Sequence, residues 1–191
     1  VFSPKLGRRL SLGSYDAFRT WLVIEANPAV ESFTERPAHA DGPGSAVIDF
    51  WVQLRNVPSG EFWFIEGRKR SRNDDHASMH DAPALPAILH NQTVRLVRQE
   101  DLKAWSVPIA NWSRIVPYLV SHRRFRDALL EQSIVVYLGH PRTLDAVLER
   151  FAANDATSVE ASLFALVAGG RVESPDLAVA PLSGATRFER P

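Results

Sequence analysis

Two apolar runs on either side of a short turn constrain this chain more than any other feature. Ser45-Ala-Val-Ile-Asp-Phe-Trp-Val-Gln-Leu54 and Glu61-Phe-Trp-Phe-Ile-Glu-Gly-Arg-Lys69 flank Asn56-Val-Pro-Ser-Gly60, which reads as two strands and a hairpin connection. Each run carries one acid inside its apolar stretch, Asp49 in the first and Glu66 in the second. An acid in a strand core is costly unless something pairs with it. A turn centred between Val57 and Pro58 sets Asp49 opposite Glu66, Trp51 opposite Phe64 and Leu54 opposite Glu61. Opposed Cβ atoms lie about 4.5–5.5 Å apart, a spacing at which two carboxylates repel and one divalent cation bridges them. Arg68, two residues past Glu66, falls on the same face by strand periodicity. The plainer alternative is an edge hairpin whose acids reach solvent or pair with Arg68.

The rest of the composition is that of an ordinary water-soluble chain. Its 191 residues are 45% hydrophobic, enough to bury a core as one domain or two small ones. The 22 basic and 22 acidic residues cancel, but between residues 67 and 126 eleven Lys/Arg face five Asp/Glu. That basic excess beside paired acids suits a polyanionic substrate, although a solvated surface explains it equally well. With no cysteine, disulfides and thiolate metal sites are excluded, and a cytoplasmic protein is the expectation. No apolar stretch approaches the roughly 20 residues of a membrane span, and the first residues do not resemble a signal peptide.

Ser14 to Ala26 reads as a helix capped by Ser14, with Tyr15, Phe18 and Leu22 on one face, and Asn27-Pro28 ends it. Val30 to Arg36 and Val94 to Val97 read as strands. Glu100 to Trp105 and Ile109 to His122 read as helices, the second with Pro117 near its first turn or at a break. Three more helices are expected at Phe125 to Tyr137, Thr143 to Phe151 and Thr157 to Ala168. The last has a capping-box spacing from Thr157 to Glu160 and stops at Gly169-Gly170. Arg171 to Leu182 reads as two brief strands around a turn. Helix, turn, helix and hairpin describe a winged-helix unit. The 157–168 helix lacks the Arg, Lys, Asn or Gln that reads base edges, and its one charge is Glu160. The unit is therefore expected to be a protein-contact or dimerisation module and not a reader of DNA.

In this order the motifs resemble the TnsA-type transposon endonuclease family, whose amino-terminal domain belongs to the PD-(D/E)xK nuclease superfamily. The resemblance is carried by Glu25-Ala-Asn-Pro28 at the end of the first helix and by Val30, Phe33 and Arg36-Pro37 in the next strand. Ile48-Asp49-Phe50, the Glu66 strand, and Val97, Glu100, Asp101 and Leu102 follow. It implies an α/β fold, a restriction-endonuclease-like mixed sheet flanked by helices over residues 1–111, followed by a small helical winged-helix-like domain over 112–191. It further implies Asp49 and Glu66 as the two motif acids and Asp16 as the acid of the opening helix, with Glu25 a weaker candidate. In the family these acids hold Mg²⁺, with Mn²⁺ as a substitute, for DNA phosphodiester hydrolysis at transposon ends. Double-stranded DNA, a transposase and an ATPase regulator are the partners it implies. Two positions depart from the family pattern. Ile48 replaces the motif Pro, and Arg68 stands where the motif has Lys. Arginine stays protonated and cannot take a proton from water, though it can neutralise transition-state charge. A bulge at Gly67 would swing Lys69 onto the face of Glu66 instead.

Lys69, Arg70 and Arg72 are candidate phosphate contacts beside the cut site. His76 and His80 have metal-ligand spacing on a helix, but their polar surroundings read as a loop. Trp51, Trp63 and Phe64 read as core. No Gly-rich phosphate loop and no Gly-x-Ser-x-Gly elbow is present. The expectation is an endonuclease subunit of a transposition system. The alternatives are a catalytically inactive scaffold or DNA-binding subunit on the same fold, or a nuclease of a defence complex.

Overall fold

A computed structural model of the chain describes residues 1–37, 48–66 and 93–191. The chain opens with a small antiparallel hairpin, β1 (Phe2–Ser3) and β2 (Arg8–Arg9), turning at Gly7 with φ +66°. Helix α1 (Tyr15–Ala26) follows, and the Ser14 side chain accepts from the Ala17 N–H as its N-cap. Its Trp21, Leu22 and Ile24 are buried.

A four-stranded mixed sheet comes next, in the order β3 (Val30–Glu35), β4 (Phe50–Leu54), β5 (Glu61–Ile65), β6 (Thr93–Val97). The first three strands are antiparallel neighbours, and β6 runs parallel to β5. Alternation along the strands decides what each face meets. Phe33, Phe50, Val52, Trp63, Ile65 and Val97 belong to the main core, together with residues of α1. Ile48 and Phe64 form a separate small cluster with Phe62 and Val94.

The β4–β5 register differs from the expected one by two residues. Trp51 lies opposite Phe62 and Val52 opposite Glu61, where Phe64 and Leu54 were the expected partners. The turn is responsible: Asn56 adopts φ +60° and Val57 N–H reaches Leu54 O, so the chain reverses earlier than Pro58. Gly60 is required where β5 begins, because a Cβ there would lie 2.5 Å from the Trp51 indole.

Helix α2 (Gln99–Ala104) leads into α3 (Ser106–His122). α3 buries Ile109, Trp112, Ile115, Val116 and Leu119 as one stripe and packs against both α1 and α6 (Ala156–Ala168). It runs unbroken through Pro117, which lies on its exposed side along with Ser113, whose carbonyl loses its helical donor. The expected domain boundary between 111 and 112 thus lies within a helix.

Beyond α3 come α4 (Ala128–Tyr137), β7 (Arg142–Thr143), α5 (Leu144–Arg150), α6, α7 (Asp176–Val179) and β8 (Arg187–Phe188), with β7 pairing β8. Two helix starts move from their expected places. α4 begins at Ala128 because Asp127 caps it, and α6 begins at Ala156 because Asp155, not Thr157, accepts from the Ser158 N–H. Gly170, at φ +72°, closes α6 as expected.

The 171–182 stretch is not a pair of strands. It makes a single bridge, Glu173 with Glu189, and the short helix α7. The buried Asn111 of α3 holds this segment. Its Nδ2 donates to Leu177 O (2.9 Å) and Ala180 O (2.8 Å), and its Oδ1 accepts from Leu182 N (2.7 Å). One apolar cluster extends from Leu10 to Phe188. Among the described residues, no helix is long and apolar enough to cross a membrane.

Candidate active site

Asp49 is 3% exposed, directly before β4. Its backbone N–H donates to Trp63 O (3.0 Å), beside the Phe50–Trp63 pairing, so two residues of this strand face one of β5, the arrangement of a bulge. Its carboxylate Oδ2 accepts from the Ile65 backbone N–H at 2.8 Å. Asp49 therefore meets the Trp63–Ile65 stretch and is not set across from Glu66. A buried carboxylate is tolerable here where a backbone donor, the Ile65 N–H, meets it.

Glu66 follows Ile65 directly and is exposed. Its N–H donates to Val97 O (2.9 Å), extending the parallel contact with β6 by one residue. The Asp49 carboxylate and the Glu66 backbone thus sit one residue apart at the same end of β5. That end lies near the start of α1: Asp49 shares a small crevice with Gly13, Ala17 and Glu35.

Asp16, in the first turn of α1, is engaged elsewhere. Gln99 Nε2 donates to its Oδ2 (2.8 Å), and Arg19 Nη1 lies 3.4 Å from its Oδ1. Arg19 also donates to Leu102 O, so this cluster fixes α1 to α2. Among the described residues, no three His, Asp or Glu side chains gather closely enough to hold a metal ion. Asp16, Asp49 and Glu66 do not form such a trio. Arg68, Lys69, Arg70, Arg72, His76 and His80 lie outside the described residues.

Glu25, the weaker helix-acid candidate, is 2% exposed and fully occupied. Ser3 Oγ (2.8 Å), the Lys5 N–H (2.5 Å) and Trp21 Nε1 (3.0 Å) all donate to it. Burial pushes its carboxyl above the usual range, and these donors offset only part of that rise. Its neighbour Lys5 is pushed down to about 8 by burial, against the pull of Glu25. Lys5 Nζ donates to Asn27 O and Val30 O, both at 2.9 Å. The group anchors the opening hairpin to the end of α1 and is remote in hydrogen bonding from Asp49.

Sequence reasoning missed two polar neighbours. Gln99 holds Asp16, and Glu35 lines the Asp49 crevice. Glu35 is bound to Arg8; burial raises its carboxyl, but the Arg8 guanidinium outweighs that and holds it below the usual range. Glu35 closes the strand pattern in the sequence, but its position beside Asp49 depends on the β3–β4 register, which the turn does not encode. No family model, curated protein or solved structure matches this chain.

Proposed function

We propose that this chain is a metal-dependent DNA endonuclease subunit of a transposition system. One observation carries the reading: the Asp49 carboxylate is buried on the Ile65 N–H, with the exposed Glu66 next in the chain. The order of elements supports it. A helix, three antiparallel strands and a fourth strand parallel to the third agree with the nuclease core that the sequence resemblance implies.

The donor set fits magnesium, which takes one or two carboxylates and keeps several waters. Asp49 and Glu66 would hold the ion, one carboxylate pre-positioned by its backbone bond and the other free to turn from the surface. Mg²⁺, when bound, lowers the pKa of a water and offsets charge on the scissile phosphate. Asp16, engaged by Arg19 and Gln99, would act by fixing α1 against α2 beside the site. Arg68 would neutralise phosphate charge and Lys69 would serve if it reaches the Glu66 face, with Arg70 and Arg72 on the flanking backbone. The carboxy-terminal helices would dock the transposase and ATPase regulator. In support, α6 buries Val159, Leu163, Phe164 and Leu166 and packs on α3, leaving no basic side chain to read bases.

A second reading, a catalytically silent scaffold on the same fold, is favoured by the engagement of Asp16 and the lack of an acidic trio among the described residues. Supercoiled plasmid incubated with the full chain and Mg²⁺ or Mn²⁺ separates the two. Nicking is expected from the unaltered chain, slowed about 100-fold or more in Asp49→Asn and Glu66→Gln. The asparagine retains an acceptor for the Ile65 N–H, so loss of activity there reports on charge and not on folding. A folded chain that cleaves with neither metal belongs to the scaffold reading.

A further inference from the structure

A cavity of about 660 Å³ lies away from Asp49, between the opening hairpin, the end of α3 and one flank of α6. Its volume falls within the range of small-molecule sites, roughly 300–1,000 Å³. The α6 flank explains why it is open. Val159, Leu163 and Leu166 of this helix fill the core, whereas Ser158, Ala161, Ser162 and Ala165 line the cavity and are too small to fill it.

The charge here is distinctive in a chain whose net charge is zero. Lys5, Arg55, Arg123, Arg124 and Arg126 line the cavity against only Glu25 and Glu31. Glu25 is taken up by Ser3, Lys5 and Trp21. Arg126 is bound to Glu131, and Arg123 lies 4.2 Å from the centre of the Phe2 ring. Arg124 makes no side-chain hydrogen bond, ion pair or ring contact among the described residues.

A second, independent observation comes from the floor. Ser162 is 6% exposed, lines the cavity, and its hydroxyl has no hydrogen-bond partner among the described residues. A serine in a helix ordinarily returns its proton to a carbonyl one turn back, as Ser121 and Ser133 do here. The Ser162 hydroxyl is therefore open to the cavity and unpaired by protein, a donor available to an acceptor on a ligand in a cavity lined with guanidinium groups. Phe2 and Phe125 add apolar surface to the same walls.

We infer that this cavity binds a phosphorylated small molecule of nucleotide size, its phosphates meeting Arg124 and Ser162 and its apolar part lying against Phe2 and Phe125. This goes beyond the nuclease reading and does not depend on it, since none of Asp49, Glu66 and Asp16 lines the cavity. The test is calorimetric titration of the full chain with pyrophosphate and with ADP at fixed ionic strength. Saturable binding of both is expected, with ADP the tighter. Arg124→Glu, an exposed change, is expected to weaken both at least about tenfold. Ser162→Ala should weaken them by a smaller factor, and Arg150→Glu, at the end of α5 and outside the cavity lining, should leave them unchanged. Failure of both ligands to saturate, or equal affinity in Arg124→Glu, overturns the inference. So does binding of a short oligonucleotide, sensitive to Arg124→Glu, when neither free phosphate compound binds.

Discussion

Lys5 and Glu25 show how a single buried pair sets a pH dependence. Lys5 titrates near 8 in the folded chain against 10.5 as its ordinary value. Below pH 8 it is protonated whether folded or not, and the desolvation penalty is carried in full. Between about 8 and 10.5 the folded chain releases this proton first, the unfolded chain binds more protons, and stability rises with pH. Above that window the penalty is gone. Urea midpoints measured at pH 7.5 and 10 should therefore show the unaltered chain gaining on Lys5→Met, by up to about 3 kcal/mol. A constant difference between the two proteins would mean that burial does not govern Lys5. The same residue scale shows what the sequence allowed and what it hid at the site. Asp49 is conspicuous as an acid in an apolar strand, and burial follows from that pattern. Its partner does not, because the Ile65 N–H reaches Oδ2 only across a bulge.

Among the elements, the bounds of α1 were legible from Ser14 and Asn27-Pro28, but its buried face was not: Tyr15 is 71% exposed, and Ala17, Trp21 and Ile24 join Leu22 in the core. α6 was legible except at its start, where the expected Thr157 cap gives way to Asp155 with its bond to the Ser158 N–H. Asp155→Ala should lower the thermal midpoint by a few degrees, while Thr157→Ala leaves it unchanged. The reverse result would move the helix start to Thr157. The hairpin register was not legible, because an Asn56 backbone of positive φ decides it and the more obvious Pro58 does not. The 171–182 stretch was illegible for another reason. Its conformation is set from a distance by Asn111, whose three hydrogen bonds cannot be read from the segment itself.

For the whole molecule, the continuous core decides what can be separated. Cutting at residue 111 would remove Trp112, Ile115, Val116 and Leu119 from beside α1. Each fully buried apolar side chain contributes about 1.5–3 kcal/mol, together roughly 6–12 kcal/mol, comparable to the 5–15 kcal/mol that holds a typical domain. A 1–111 fragment should therefore show no cooperative unfolding by circular dichroism, whereas the full chain unfolds in one transition. A fragment that melts cooperatively would establish two independent domains after all. The parallel pairing of β6 with β5 has its own consequence for kinetics. The chain leaves at Ile65 and returns at Thr93, so this edge closes only after a long excursion, and its contacts reward folding late. Glu66 is anchored through Val97 O. Whatever this carboxylate does, its backbone is tied to the last-paired strand in chain order, so a local opening of β6 from β5 would release it while β3, β4 and β5 stay joined.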